Sequence, residues 1–207
     1  MNKELVENAY YYAKEKYKGQ KRKYTNEEYF VHPSGMAHNM VDTLIEIYQG
    51  YPVDEEVVRF YQMVCWLHDT VEDTDATLEE IEQKFGKKIA KTIGYLTNIS
   101  KPEDGNRKIR KTIDMNHTLS GNIEAIIVKL FDIMDNCRDI VKYDKSFALK
   151  YLKEKKNFLD NAKESIAVKD LEKDSVNGLL YHKAYNDCLE IVQKSLDNLM
   201  NYAIIKA

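Results

Sequence analysis

Between Val57 and Leu67 nearly every position is apolar: Val57, Val58, Phe60, Tyr61, Met63, Val64, Cys65 and Leu67 cover almost all sides of a helical projection. A surface helix keeps a polar face, so this run predicts a helix buried at the centre of a domain. It leads into Trp66-Leu67-His68-Asp69-Thr70-Val71-Glu72-Asp73-Thr74, which places four ionisable side chains on the end of that helix. At about 100° per residue, Glu72 falls one turn beyond His68 and Asp73 one turn beyond Asp69. A continuous helix over about 55–72, opened by Asp54 as its cap, would gather them into one compact cluster. Buried carboxylates are strongly destabilising unless a metal or basic groups compensate.

The rest of the chain supports an all-α fold. There are three prolines and eight glycines in 207 residues, and few alternating apolar runs. A first helix is expected over 2–18, with Leu5, Ala9, Tyr12, Ala13 and Tyr17 on one face and Gly19 as its stop. His32-Pro33-Ser34 reads as a helix start, fixing His32 at a rigid entrance, and that helix runs to about Tyr48 and Gly50. His38 lies inside it as a packing or surface histidine. Thr77-Leu78-Glu79-Glu80 fits a capping box before a short helix ending near Phe85-Gly86, and another helix covers 87–97. After a loop at 101–106, Arg107-Lys108-Ile109-Arg110-Lys111 opens a helix whose inner stripe is Ile109 and Ile113, leaving an ordinary solvated basic face. A second strongly apolar run, Ile123 to Met134, is a second buried helix, and it carries Lys129, Asp132, Asp135, Asn136, Arg138 and Asp139. Two more helices are expected at 145–165 and 178–205, the last with Leu189, Val192, Leu196, Leu199 and Tyr202 on one face. It is expected to pack on the core or on a second subunit, so a homodimer is one expectation.

The bulk composition excludes several classes. A net charge of −3 and a pI near 6.0 give no general reason to expect a nucleic-acid polymer as partner, so any phosphate site must be local. Cys65, Cys137 and Cys188 lack paired zinc spacing and read as reduced thiols. The N-terminus lacks a signal-peptide layout and no apolar run is long enough to span a bilayer. A soluble, cytoplasmic protein without a membrane partner is expected.

His68 and Asp69 from one buried helix, Asp132 from the other and His32 from a helix entrance make a mixed nitrogen and oxygen set. Such a set suits Mn²⁺, Fe²⁺, Co²⁺ or Zn²⁺ better than Mg²⁺. A bound ion would compensate the acids and activate water for hydrolysis at phosphorus, with Glu72 and Asp73 in reach of the water's proton. Taken singly, each residue has a plainer role: His32 as a cap or core residue, Asp132 as a partner of Arg138 or Lys129.

In combination the motifs resemble a family. Gln20-Lys21-Arg22-Lys23, Tyr29-Phe30-Val31-His32-Pro33, Leu67-His68-Asp69-Thr70-Val71-Glu72-Asp73-Thr74, Phe85-Gly86 and Lys129-Leu130-Phe131-Asp132 with Asn136-Cys137-Arg138-Asp139 occur in the order found in HD-superfamily metal-dependent phosphohydrolases. They are most similar to the hydrolase domain of RelA/SpoT homologues, in particular the small alarmone hydrolases. The resemblance implies an HD-domain helical bundle over 1–145, with additional C-terminal helices at 146–207. It implies His32, His68, Asp69 and Asp132 as ligands, usually of manganese, and Glu72 and Asp73 as the acidic pair acting on water. Arg22, Lys23 and Asn136 then lie near a small-molecule nucleotide, with Arg107, Arg110 and Lys111 as weaker phosphate candidates. The implied reaction removes the 3′-pyrophosphate of guanosine tetra- or pentaphosphate, in a hydrolase-only arrangement. Two positions depart from the pattern: Ile133 stands where a basic residue is common, and Asp135 replaces a histidine or aromatic residue. Both lower positive charge or stacking near the metal and leave open another nucleotide, such as a dNTP, a nucleoside monophosphate or the 2′-phosphate of NADPH. A nucleotide-binding regulator without catalysis is the third expectation.

Overall fold

The computed structural model describes residues 2–49, 51 and 53–205, with side chains described through residue 201 of that range. The expected stop at Gly50 and the facing of Tyr202 fall outside these described positions. Among the described residues the chain is helical throughout, without a strand; Lys21 and Glu28 form an isolated bridge in a loop.

Helix α1, Lys3–Lys16, is capped by the Asn2 side chain, which accepts from the Leu5 N–H, and ends before Gly19 at φ 81°, the left-handed conformation that glycine adopts without strain. A loop leads to α2, Val31–Ile47, and α3, Glu55–Leu67, whose N-terminus Asp54 caps through the Glu56 N–H. The short α4, Thr70–Asp73, follows; then α5, Leu78–Phe85, and α6, Lys87–Leu96, turn about Gly86. A 3-10 turn at Pro102–Asp104 precedes α7, Arg107–Leu119, and α8, Ile123–Tyr143. The chain closes with α9, Lys145–Ala162, the short α10, Ile166–Lys169, and α11, Val176–Ile205.

Helix α8 is the hub, packed against α2, α3, α6, α7, α9 and α11. Ala125, Ile126, Ile127, Val128, Leu130 and Ile133 are all fully buried on it, which is why its β-branched run forms a helix: each side has a helical neighbour to pack on. Helix α3 is the second axis, against α1, α2, α6 and α8. Helix α11 lies along α8 and α9, burying Leu180, Ala184, Cys188 and Val192. At its start Gly178 is required by close approach, since a Cβ would stand 2.1 Å from the Glu172 carbonyl oxygen.

Two sequence expectations change. The central helix does not run unbroken to residue 72: α3 stops at Leu67 and α4 begins at Thr70. The Thr70 hydroxyl donates to the Leu67 carbonyl at 2.7 Å and the His68 Nδ1 sits 2.8 Å from the Cys65 carbonyl, so side chains take the acceptors of the last turn. Helix α7 is also turned relative to expectation. Ile109 is 47% exposed, whereas Asp114 and Thr118 are buried and Arg107, Arg110 and Lys111 are half-buried. The reason is Asp114, which accepts from the Ile99 and Ser100 N–H groups and the Ser100 hydroxyl and so pins the polar face inward.

Candidate metal centre and cation-lined cavity

The break after α3 turns His68 and Asp69 toward the first turn of α2 and the middle of α8. His32 and His68 are almost wholly buried, at 2% and 1% exposure. Each Nδ1 has a partner: Asp135 Oδ2 at 2.6 Å for His32 and the Cys65 carbonyl at 2.8 Å for His68. With Nδ1 carrying the proton, each Nε2 presents a lone pair. Both Nε2 atoms are buried without a hydrogen-bond partner. They face the same acids: His68 Nε2 is 2.9 Å from Asp69 Oδ2, and His32 Nε2 is 3.8 Å from that oxygen and 3.4 Å from Asp132 Oδ1. The ligand atoms of His32, His68 and Asp69 lie within 4.8 Å of one another, a group able to hold a metal ion. Two orphaned imidazole nitrogens beside Asp69 fit a divalent cation in chemistry as well as spacing; Asp132, with Oδ1 3.4 Å from His32 Nε2, borders that group of three and is not part of it.

The acids make the site one that holds positive charge: burial opposes charge on His32, yet Asp132 and Asp135 raise its pKa to about 9, so the metal-free ring keeps a second proton that a bound cation would replace. Burial alone would raise Asp69 and Asp132, but His68 beside the first and Lys129 beside the second hold both carboxyls below the usual range. Asp132 is further fixed by Lys129 Nζ at 2.7 Å and by Asn136 Nδ2, which donates to Oδ1 at 2.5 Å.

The broken helix separates Glu72 and Asp73 from the buried ligands and moves them to the rim. Glu72 accepts from the Asn98 side chain at 2.5 Å and its backbone N–H at 3.2 Å. Asp73 lies 3.1 Å from the Tyr29 hydroxyl, which also donates to Asp69 Oδ2 at 2.7 Å. Burial, Asp69 and Glu72 together push the Asp73 carboxyl up to about 6.

Next to this centre is a cavity of about 830 Å³ between α7, α8 and α9. Arg107, Lys108 and Lys111 line it from α7, Lys129 from α8, and Lys150, Lys153 and Lys155 from α9, with Asp114 and Glu154 in the same wall; Arg107 donates to both Glu154 oxygens at 2.9 Å. Lys129 and Asn98 belong to its wall and also bond Asp132 and Glu72, so the cavity begins where the metal group ends. Burial together with Lys129 lowers Lys155 to about 8, as expected where like charges crowd.

The remaining expected residues are placed as follows. Asn136 touches the centre through Asp132, and Lys111 lines the cavity. Arg110 is half-buried but is not part of the cavity wall, and its Nε has no partner. Arg22 is engaged elsewhere: its guanidinium donates from Nε and from an Nη to Asp139 at 2.9 and 2.8 Å and reaches Asp135 at 3.2 Å. Lys23 is exposed, 4.8 Å over the Tyr24 ring. Ile133, expected to bear on the nucleotide, is fully buried in the apolar core and contributes packing. Asp135 does lie at the centre, but as the partner of His32. Sequence reasoning missed Tyr29, Asn98 and the lysines of α9. The only signal for the last was lysine density in 150–156, which a solvated helix also displays.

Comparison with known proteins places this arrangement. The family described as HD domain matches residues 9–156, more than half of the chain. A guanosine-3′,5′-bis(diphosphate) 3′-pyrophosphohydrolase of Aquifex aeolicus is 28% identical over 202 residues, 96% of this chain and 27% of that protein. A GTP pyrophosphokinase rsh of Brucella melitensis is 32% identical over 68% of this chain and 17% of its own length, so the chain spans only a small part of these two relatives. The corresponding pyrophosphohydrolase MESH1 of Xenopus tropicalis is 34% identical over 140 residues, 66% of this chain and 69% of that one. A solved structure of a metazoan ortholog of SpoT, described as hydrolyzing ppGpp with a role in starvation responses, matches with a TM-score of 0.63. It covers 90% of this chain and 97% of that one at 21% identity, a likeness of fold alone. With a family match spanning α1 to α9 and a His-Asp pair at the break of the central helix, the chain belongs to the HD domain family.

Proposed function

We propose that the protein is a metal-dependent pyrophosphohydrolase that removes the 3′-pyrophosphate of guanosine-3′,5′-bis(diphosphate). The observation that carries the reading is the junction at Lys129: one side chain bonds Asp132, beside the His32–His68–Asp69 group, and lines a cavity whose wall carries seven basic side chains against the two acids Asp114 and Glu154. A dense cationic wall attracts a ligand with several phosphates, and the reacting phosphate sits at its inner end. His32, His68, Asp69 and Asp132 would hold the ion, manganese in this proposal, with Fe²⁺, Co²⁺ or Zn²⁺ as the alternatives a mixed donor set accepts. When bound, the ion supplies Lewis acidity and a nucleophilic water at neutral pH.

The chain's own residues do the rest. Asp135 and the Cys65 carbonyl orient the two imidazoles. Glu72, clamped by Asn98, accepts a proton from the attacking water. Asp73, with its carboxyl near 6 and steadied by Tyr29, delivers one to the leaving oxygen. Lys111 and the α9 lysines neutralise the phosphates, giving GDP and pyrophosphate, while Arg107 is held by Glu154. Three buried free thiols accord with a reducing, cytoplasmic setting.

A second reading keeps the chemistry and changes the nucleotide to a dNTP, a nucleoside monophosphate or the 2′-phosphate of NADPH. It is favoured by Arg22, which was expected beside the nucleotide and is instead committed to Asp135 and Asp139. The test is a nucleotide panel with purified protein and Mn²⁺. Release of pyrophosphate from ppGpp supports the first reading; turnover of another nucleotide without it overturns that reading in favour of the second.

A further inference from the structure

We infer that Asp135 is the positioning residue of the His32 imidazole, and that Arg22 acts on the metal centre through Asp135 instead of on the nucleotide. The inference rests on the reading of His32 as a metal ligand, and it gives the Asp135 departure a role of its own.

The observations form one line across three elements. The His32 ring, on the first turn of α2, has a single hydrogen-bond partner, Asp135 Oδ2 at 2.6 Å, on the atom opposite the one that faces Asp69 and Asp132. Asp135 lies on α8, one turn beyond Asp132, so one helix supplies both an acid to the ion group and the acid behind the imidazole. The side chain is 14% exposed, and a carboxylate so sheltered needs a cation. Arg22 is that cation: it lies 3.2 Å from the same Oδ2, its side chain 10% exposed. It is held from its other edge by Asp139, again one turn along α8. The backbone that carries it is also fixed, since the Arg22 N–H donates to the Glu27 carbonyl and the Arg22 carbonyl accepts from the Asn26 N–H. Arg22 therefore has two carboxylates satisfying its guanidinium, and it is not among the residues that line the cavity.

The physical consequence is control of the ligand nitrogen. A carboxylate accepting the Nδ1 proton fixes the tautomer in which Nε2 is unprotonated, locks the ring plane and raises ligand basicity. Arg22 tunes this by limiting the negative charge Asp135 brings to the imidazole, and Asp139 keeps Arg22 in place. Asn136, between them on α8, does the equivalent for Asp132 by donating to Oδ1. Helix α8 thus carries two supports for the centre on one face.

The test is Mn²⁺ binding to the intact chain by calorimetry, without nucleotide, together with long-range ¹H–¹⁵N spectra of the histidine rings in the metal-free protein, at a pH where the rings are neutral. Asp135→Ala should weaken Mn²⁺ by about 10–100-fold and leave His32 as a mixture of tautomers. Asp135→Asn, which keeps an oxygen to accept the Nδ1 proton, should fall between it and the unaltered chain. Arg22→Gln should weaken Mn²⁺ in the unaltered chain and add nothing in the Asp135→Ala background. Lowered thermal stability with unchanged Mn²⁺ affinity and an unchanged His32 tautomer would make Asp135 a structural residue and sink the inference. Arg22→Gln that raises KM for a nucleotide without altering Mn²⁺ affinity would return Arg22 to the substrate. Failure of the unaltered chain to bind Mn²⁺, Fe²⁺, Co²⁺ or Zn²⁺ would remove the ligand reading and the inference with it. Metal binding without ppGpp turnover would leave the positioning intact and overturn only the substrate.

Discussion

Three interactions converge on the Asp69 carboxylate: His68 at 2.9 Å, the Tyr29 hydroxyl at 2.7 Å and His32 at 3.8 Å. Asp69→Ala is expected to abolish tightly bound metal and turnover together, measured by metal content and pyrophosphate release. Glu72 is different because it stands at the rim with Asn98 as its partner. Glu72→Gln should keep the metal and lower kcat by at least about 10²-fold, the scale of general acid–base help. Lys155 carries a pH signature. Its folded pKa of about 8 lies below the ordinary 10.5, so the unfolded chain holds the proton more tightly and folding works against that charge at neutral pH. Stability from this group therefore rises between about pH 8 and 10.5. Lys155→Met should stabilise the protein at neutral pH by on the order of 1–3 kcal/mol, with the gain fading across that window, read by thermal melts against pH. The same change removes a cavity cation and should raise KM for a polyphosphate substrate.

At the scale of elements, the break between α3 and α4 makes the centre. A continuous helix would keep His68 and Asp69 in register with Glu72 and Asp73. The Thr70 hydroxyl instead takes the Leu67 carbonyl, and the two pairs part, one into the core and one to the rim. Thr70→Val is expected to lose about 1 kcal/mol for that fully buried bond and to weaken Mn²⁺ binding as Asp69 shifts, checked by denaturation and calorimetry. Sequence periodicity located the helix and its ionisable end but not the break, since periodicity does not register competition between a side chain and the backbone. Helix α7 repeats the lesson. The isoleucines suggested an apolar inner stripe; Asp114 and its bonds to residues 99 and 100 turned the cationic face inward.

For the whole molecule, an ion held by the proposed set His32, His68, Asp69 and Asp132 would tie α2, the α3–α4 break and α8 together, so metal binding should be linked to folding. With free Mn²⁺ at 100 times Kd, the loaded protein should be more stable than the chelated one by about 2.7 kcal/mol, a melting shift of roughly 5–10 °C. A melting temperature unaffected by chelator would contradict a metal held by three parts of the fold. The net charge of −3 conceals a local excess of cations, because the cavity wall between α7, α8 and α9 carries seven basic side chains against the two acids Asp114 and Glu154.

The sequence by itself determined the helical class and the two buried helices, and it pointed to His32, His68 and Asp69, which the fold brings together. Those properties are local or periodic: burial on all sides, caps, and rare residue types set into apolar runs. Only the tertiary structure decided the partners of each charge. Arg22 meets Asp135 and Asp139 across more than a hundred residues, and α9 brings its lysines opposite α7. An ion pair depends on distance in space, and a linear pattern of residues does not contain that distance.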